Sequence, residues 1–274
     1  MRSPEGLARR VVTALALLGV FLAILFLLDA RVLALAVAGV LGLAAHEWTR
    51  LAGVSAGAAS AWGGSFAVLF AAVALTSPAD APWRTPLFLA AAAFWVIAAP
   101  VWLAARAGRA PRGVLVACGA ALLASAGLAA LSISPLTLFL ALGLVWIADT
   151  AAYFAGNAFG RRRLAPSLSP GKTWEGVAGA VAATLAYAII FAMPGAPLEG
   201  YARQAGWPAY LAAAVLLCAV SIVGDLFESA LKRQAGAKDS GTLLPGHGGV
   251  LDRLDSALAA LPVAAALLHG ISTA

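Results

Sequence analysis

The chain has 274 residues, of which 62% are hydrophobic and only 11% are charged, with a mean hydropathy of +0.93. Water-soluble domains carry about 25% charged residues, so a soluble fold of this size is excluded and lipid must be the solvent for most of the surface. The formal net charge of +6 calls for no nucleic-acid partner, because membrane sidedness and anionic lipid account for it.

Charges, prolines and glycines divide the chain into nine apolar segments: 11–28, 32–45, 56–75, 86–105, 114–131, 135–153, 175–193, 207–224 and 250–270. Most approach the roughly 20 residues that a helix needs to cross a bilayer. The fold class expected is therefore all-α, a polytopic transmembrane helix bundle of about nine spans. The first segment follows basic residues as a signal peptide would, but its length and the lack of a small-residue cleavage site make it an uncleaved span. The second is short enough to be re-entrant, and the ninth carries charges at its start. Trp48, Trp62, Trp83, Trp146, Trp174 and Trp207 fall at or near segment ends, where interfacial anchors belong.

Of the 18 basic residues, fifteen fall on the side of the N-terminus and the even-numbered loops, leaving Arg31, Arg84 and Arg203 on the other. The positive-inside rule places the N-terminus in the cytoplasm, and an odd number of spans leaves the C-terminus outside. Abundant glycine and alanine suit close helix packing in lipid. Cys118 and Cys218 sit in apolar runs with no CxxC or spaced Cys/His set, and read as small core residues. Residues 1–145 offer little chemistry. His46 and Glu47 lack an HExxH continuation and read as a solvated pair beside the membrane. Residues 146–274 carry the chemical motifs, and the two parts form one integral membrane unit.

The acids gather late in the chain. Seven of the twelve, Asp149, Glu175, Asp225, Glu228, Asp239, Asp252 and Asp255, lie at or near the cytoplasmic ends of the last four spans. Carboxylates inside a membrane cost about 2.5–3.5 kcal/mol each on insertion scales, so a functional reading is the default. Asp225, Glu228 and Lys232 share one helix face, as do Asp252 and Asp255, and Asp149 shares its face with Tyr153. Two aspartates from separate helix ends make a good site for hard Mg²⁺; interhelical salt bridges are the competing structural use. Arg161, Arg162, Arg163 and Lys172 accompany them in one loop, and Lys232, Arg233 and Lys238 in the next. Lys172 stands in the run Ser169, Pro170, Gly171, Lys172, Thr173, read as a turn entering a helix N-terminus suited to an anion. It is not a Walker A loop, since Pro166 occupies the first glycine position and no strand precedes it. The glycine turn Gly246, His247, Gly248, Gly249 directly before Asp252 and Arg253 lets backbone amides approach a phosphate. Together these residues describe a site for a divalent cation and several phosphates, open to the cytoplasm.

The run Ser229, Lys232, Arg233, Lys238, Asp239, Pro245, His247, Gly248, Gly249, Asp252, Arg253 and Asp255 resembles the defining pattern of the phosphatidate cytidylyltransferase (CDP-diacylglycerol synthase) family. Trp146 to Gly156 and Ser169 to Gly176 are similar to it as well, so the resemblance covers roughly residues 146–255. It implies CTP and phosphatidate as substrates, CDP-diacylglycerol and pyrophosphate as products, and Mg²⁺ on Asp225 and Asp252. It leaves room for K⁺ beside Mg²⁺ and for a homodimer. By this resemblance the catalytic group is Asp149, Lys172, Lys232, Arg233, Lys238, Asp239, His247 and Arg253, with Ser169, Thr173, Gly248, Gly249 and Asp255 binding substrate. The location implied is a bacterial inner (cytoplasmic) membrane. A phosphate monoester is largely ionised at pH 7, so a strong general base is unnecessary and His247 is not required as one.

Two rivals have distinct signatures. A transporter or flippase would show paired, interrupted helices and midplane charges, whereas these charges collect at one face. A membrane nucleotidyltransferase or phosphotransferase with another lipid acceptor is the second, and the Asp-Gly pattern of the CDP-alcohol phosphotransferases is absent.

Overall fold

The computed structural model describes residues 18–105, 110–243 and 248–272. Each of the nine segments falls on a helix, although positions 11–17 of the first lie outside the described residues. The helices are α1 (Leu18–Leu27), α2 (Ala30–Leu51), α3 (Ala56–Thr76), α4 (Arg84–Ala93), α5 (Ala99–Ala104), α6 (Arg112–Ser132), α7 (Pro135–Phe159), α8 (Trp174–Phe191), α9 (Glu199–Ala205), α10 (Trp207–Gln234) and α11 (Leu251–Ser272). A π-helical turn, Phe94–Ala98, joins α4 to α5 in one continuous span, Arg84–Ala104. Pro100 lies just beyond it; with no N–H to offer and a ring that crowds the preceding turn, proline favours such a widening. Among the described residues, seven helices are long and apolar enough to cross a membrane: α2, α3, the α4–α5 span, α6, α7, α8 and α10. α11 has 22 residues but opens on charges.

The second segment is not short. Asp29 caps α2 through the amides of Arg31 and Val32 at 2.8 and 3.0 Å, and the helix runs through His46 and Glu47 to Leu51, 22 residues in all. Its end is buried at Glu47, Trp48 and Thr49, so polarity there marks a protein contact and not a helix stop.

A second departure is a two-stranded antiparallel hairpin, β1 (Arg163–Ala165) with β2 (Ser169–Thr173), pairing Arg163 with Thr173 and Ala165 with Ser169. The run from Ser169 to Thr173 is therefore strand and not the turn expected. Its last residue does open a helix: Thr173 Oγ1 accepts the amide of Gly176 at 3.1 Å and caps α8.

The apolar core lies where α2, the α4–α5 span, α6, α10 and α11 meet. Phe227 of α10 is its hub, with Trp102, Phe94, Trp95 and Trp48 at ring separations of 5.1, 5.5, 5.5 and 6.1 Å. Small residues set the spacing. A Cβ on Gly224 would run into the backbone of Asp255 and within 2.9 Å of the Ala259 methyl, which brings α10 and α11 together at the level of the acids. Large apolar side chains such as Leu27, Val68, Leu69, Ile97 and Val101 point outward, as a lipid-facing surface requires.

Candidate active site

α10 has 28 residues, about 42 Å at 1.5 Å per residue, against a hydrocarbon core of about 30 Å. The helix is longer than that layer, and its charged last turns carry Asp225, Glu228 and Lys232 in a stripe facing α11. Asp149 arrives from the adjoining α7, Lys172 from β2, and Asp252 and Asp255 from the first two turns of α11.

Two lysines organise the acids. Lys172 Nζ lies 2.6 Å from Asp225 Oδ2, and Ser229 Oγ donates to Asp225 Oδ1 at 3.3 Å. Lys232 Nζ bridges helices, at 2.6 Å from both Glu228 Oε2 and Asp252 Oδ1. The other oxygen of Asp252 accepts from Gly249 N at 2.8 Å, Ser240 N at 2.9 Å and Ser240 Oγ at 3.0 Å. Asp149 and Asp255 lie in the electrostatic field of Asp225 and Lys172. Five carboxylates (Asp149, Asp225, Glu228, Asp252, Asp255) thus share two lysines, and Glu228 Oε1 is buried with no hydrogen-bond partner.

That imbalance fits a hard cation, which oxygen donors in excess of local positive charge attract. The acids form a line and not a cage: among the described residues no three His, Cys, Asp or Glu side chains converge closely enough to hold an ion alone. Mg²⁺ commonly takes one or two carboxylates and completes its shell with substrate phosphate and water, so a line is sufficient.

Other sequence candidates lie further off or have other work. Arg233 reaches the hairpin, donating to Leu168 O at 3.4 Å and, at the helix end, to Ala237 O at 3.2 Å. Lys238 and Asp239 are exposed on the loop after α10, and Arg253 is exposed on α11. Ser169 is held in the hairpin and Thr173 in the α8 cap. Gly248 has φ +81° and packs beside Asp252 and Asp239. His247 lies outside the described residues. Glu175 accepts the amides of Arg161 and Arg162 at 3.0 and 3.2 Å, closing the α7–β1 connection.

Glu47 corrects the sequence reading. It is 2% exposed, not solvated, and its carboxylate enters the loop before α11. Val250 N and Leu251 N donate to it at 3.0 and 2.8 Å, and Ser240 Oγ at 2.9 Å. A Cβ on Gly249 would collide with Ser240 Oγ and Glu47 Oε2, and one on Gly241 with Glu47 Oε1, so both glycines make room for this carboxylate. The available signal was its helical register with Ala44 and Leu51, three residues before and four after, both buried.

The bundle, with its acids and lysines collected at one end, has the form of an integral membrane protein. The sequence profile of the cytidylyltransferase family matches residues 8–271, and the chain belongs to that family, which makes it a nucleotidyltransferase. It is 43% identical over 276 aligned residues to the phosphatidate cytidylyltransferase of Pseudomonas aeruginosa, covering 96% of this chain and 97% of that one. It is 51% identical over 120 residues to the enzyme of the same name from Haemophilus influenzae, covering 43% of this chain and 41% of that one. For the Bacillus subtilis enzyme of that name the figures are 44% over 126 residues, 46% and 44%.

Proposed function

We propose that this protein transfers the cytidylyl group of CTP to phosphatidate, giving CDP-diacylglycerol and pyrophosphate. The observation that carries the reading is the pair of lysine–aspartate bridges, Lys172–Asp225 and Lys232–Asp252, at one end of a lipid-facing bundle of this family. Both substrates are anionic, and their mutual repulsion is the main obstacle. An oxygen of the phosphatidate phosphate forms a bond to the α-phosphorus of CTP. The bond from that phosphorus to the α–β bridging oxygen breaks, and pyrophosphate leaves with the electron pair.

Asp225 and Asp252 are the residues proposed to hold Mg²⁺, with Asp149 and Asp255 beside them. Bound there, the ion would neutralise phosphate charge and stabilise the leaving pyrophosphate. Each aspartate is already paired with a lysine, so substrate entry exchanges partners. Lys172 and Lys232 would then hold triphosphate oxygens, leaving the carboxylates of Asp225 and Asp252 free of their lysines. Arg233, Lys238 and Arg253 form a more exposed ring of positive charge that draws CTP from water. The acyl chains remain in the bilayer.

The test uses purified protein in detergent micelles with phosphatidate, Mg²⁺ and CTP labelled at the α- or the γ-phosphate. Label at the α position is expected in the lipid phase one-for-one with pyrophosphate, and γ label in water. Lipid labelling from the γ position would mean a lipid kinase. Phosphate release without lipid labelling would mean hydrolysis.

A further inference from the structure

Glu47 comes from α2, in the half of the chain with little chemical signal, yet it makes three hydrogen bonds to the segment bearing the glycine turn. Val250 and Leu251 present the unpaired amides of the α11 N-terminus, and a carboxylate there also meets the positive end of the helix dipole. A side chain from a distant helix thus does what a local cap residue normally does. The contact continues into the site. Ser240 Oγ stands between Glu47 Oε2 at 2.9 Å and Asp252 Oδ2 at 3.0 Å, and accepts Asp252 N at 3.2 Å. A hydroxyl has one proton, so it donates to one carboxylate at a time. When Glu47 takes that proton, Asp252 Oδ2 keeps only the amides of Ser240 and Gly249. Glu47 therefore influences both where Ser240, Val250 and Leu251 lie and how firmly Asp252 is held toward Lys232.

We infer that Glu47 is a positioning residue for nucleotidyl transfer: through Ser240 and the α11 N-terminus it fixes the Asp252 carboxylate in the arrangement that receives the nucleotide phosphates. This rests on the function proposed above. On that proposal Glu47 acts on the nucleotide, because the Asp252 carboxylate it steadies is bonded to Lys232, to which the triphosphate is assigned, whereas the lipid anchors itself in the bilayer.

Three full-length variants in micelles test it: Glu47→Gln, Glu47→Asp and Ser240→Ala. Glu47→Gln sets an amide N–H against a backbone or Ser240 donor and removes the charge. Turnover is expected to fall about tenfold or more, the scale typical of residues that orient a ligating group. The KM for CTP should rise while that for phosphatidate stays unchanged. Glu47→Asp keeps the charge on a shorter arm and should recover part of the loss. Ser240→Ala leaves the bonds from Glu47 to Val250 and Leu251 in place, and should shift the KM for CTP with little change in the thermal midpoint. Hydrogen exchange at Val250 and Leu251 should quicken in Glu47→Gln while the rest of α11 stays protected.

Unchanged KM values, with activity falling only as the folded fraction falls, would make Glu47 a stability residue and overturn the inference. So would a wild-type KM for CTP in Ser240→Ala, or slow exchange at both amides in Glu47→Gln. If the wild-type protein itself fails to label lipid, the proposed reaction is what fails, and hydrogen exchange then decides whether the clamp exists.

Discussion

The Asp225 carboxylate is held by Lys172 at 2.6 Å and flanked by Asp149 and Asp255. Its removal therefore changes the charge of the whole line. Asp225→Asn and Asp252→Asn preserve shape and remove charge, and each is expected to lower turnover at least about 10²-fold, the loss seen when a strong electrostatic contributor to a transition state is deleted. Both proteins should still fold in detergent, checked by a monodisperse gel-filtration peak and thermal midpoint. Near-normal turnover of both at low Mg²⁺ would show the aspartates to be structural. At this scale the sequence was informative where residues repeat at helical spacing. The register of Asp225, Glu228 and Lys232 is reproduced as a facing stripe, and Lys232 joins Glu228 to Asp252 as one such face meeting another would. Helical register could have shown that Glu47 faces inward, but its partners, Ser240, Val250 and Leu251, lie about 200 residues away, and spacing along one helix carries no trace of them.

Elements carry the site through close approach more than through charge. Gly224 lets α10 touch α11 at Asp255 and Ala259, one residue before Asp225. Gly224→Val would force the two helices apart. It should cost about 1–3 kcal/mol, as overpacking typically does, and misalign Lys232 with Asp252. The expected result is a lowered thermal midpoint together with a drop in turnover larger than the folded fraction explains. Unchanged turnover would mean that the contact is loose. Hydropathy located the helices because a spanning helix is long and uniformly apolar. It missed the hairpin, whose strands of three and five residues contain Pro170 and Gly171 and have no alternating apolar face. What makes them strands is their pairing with each other and the hold of Glu175 on Arg161 and Arg162. It cut α2 short because polarity was taken as exposure, whereas Glu47 is polar and buried.

For the whole molecule the decisive quantity is the sidedness of charge. Fifteen of the 18 basic residues belong with the N-terminus and the even-numbered loops, and the hairpin, Lys172, Lys232 and Lys238 are among the segments that carry them. The translocation machinery retains such loops on the cytoplasmic side. CTP, a charged nucleotide that does not cross lipid unaided, must meet its site there for the proposed reaction to run. Orientation and chemistry therefore make one joint prediction. A topology reporter fused after Arg163 should report a cytoplasmic position, and one fused after Ala274 an external position, if the nine apolar segments read from the sequence all cross. Moving charge should move the result: replacing Arg161, Arg162 and Arg163 with uncharged residues weakens the local signal, and the fraction of reporter read as cytoplasmic at that loop should fall. An external reading after Arg163 in the unaltered sequence would place Lys172 and Asp225 on the side without CTP, and both the orientation and the proposed reaction would fail together. A cytoplasmic reading after Ala274 with a cytoplasmic reading after Arg163 would leave the reaction standing and reduce the number of spans that follow the hairpin from three to an even number.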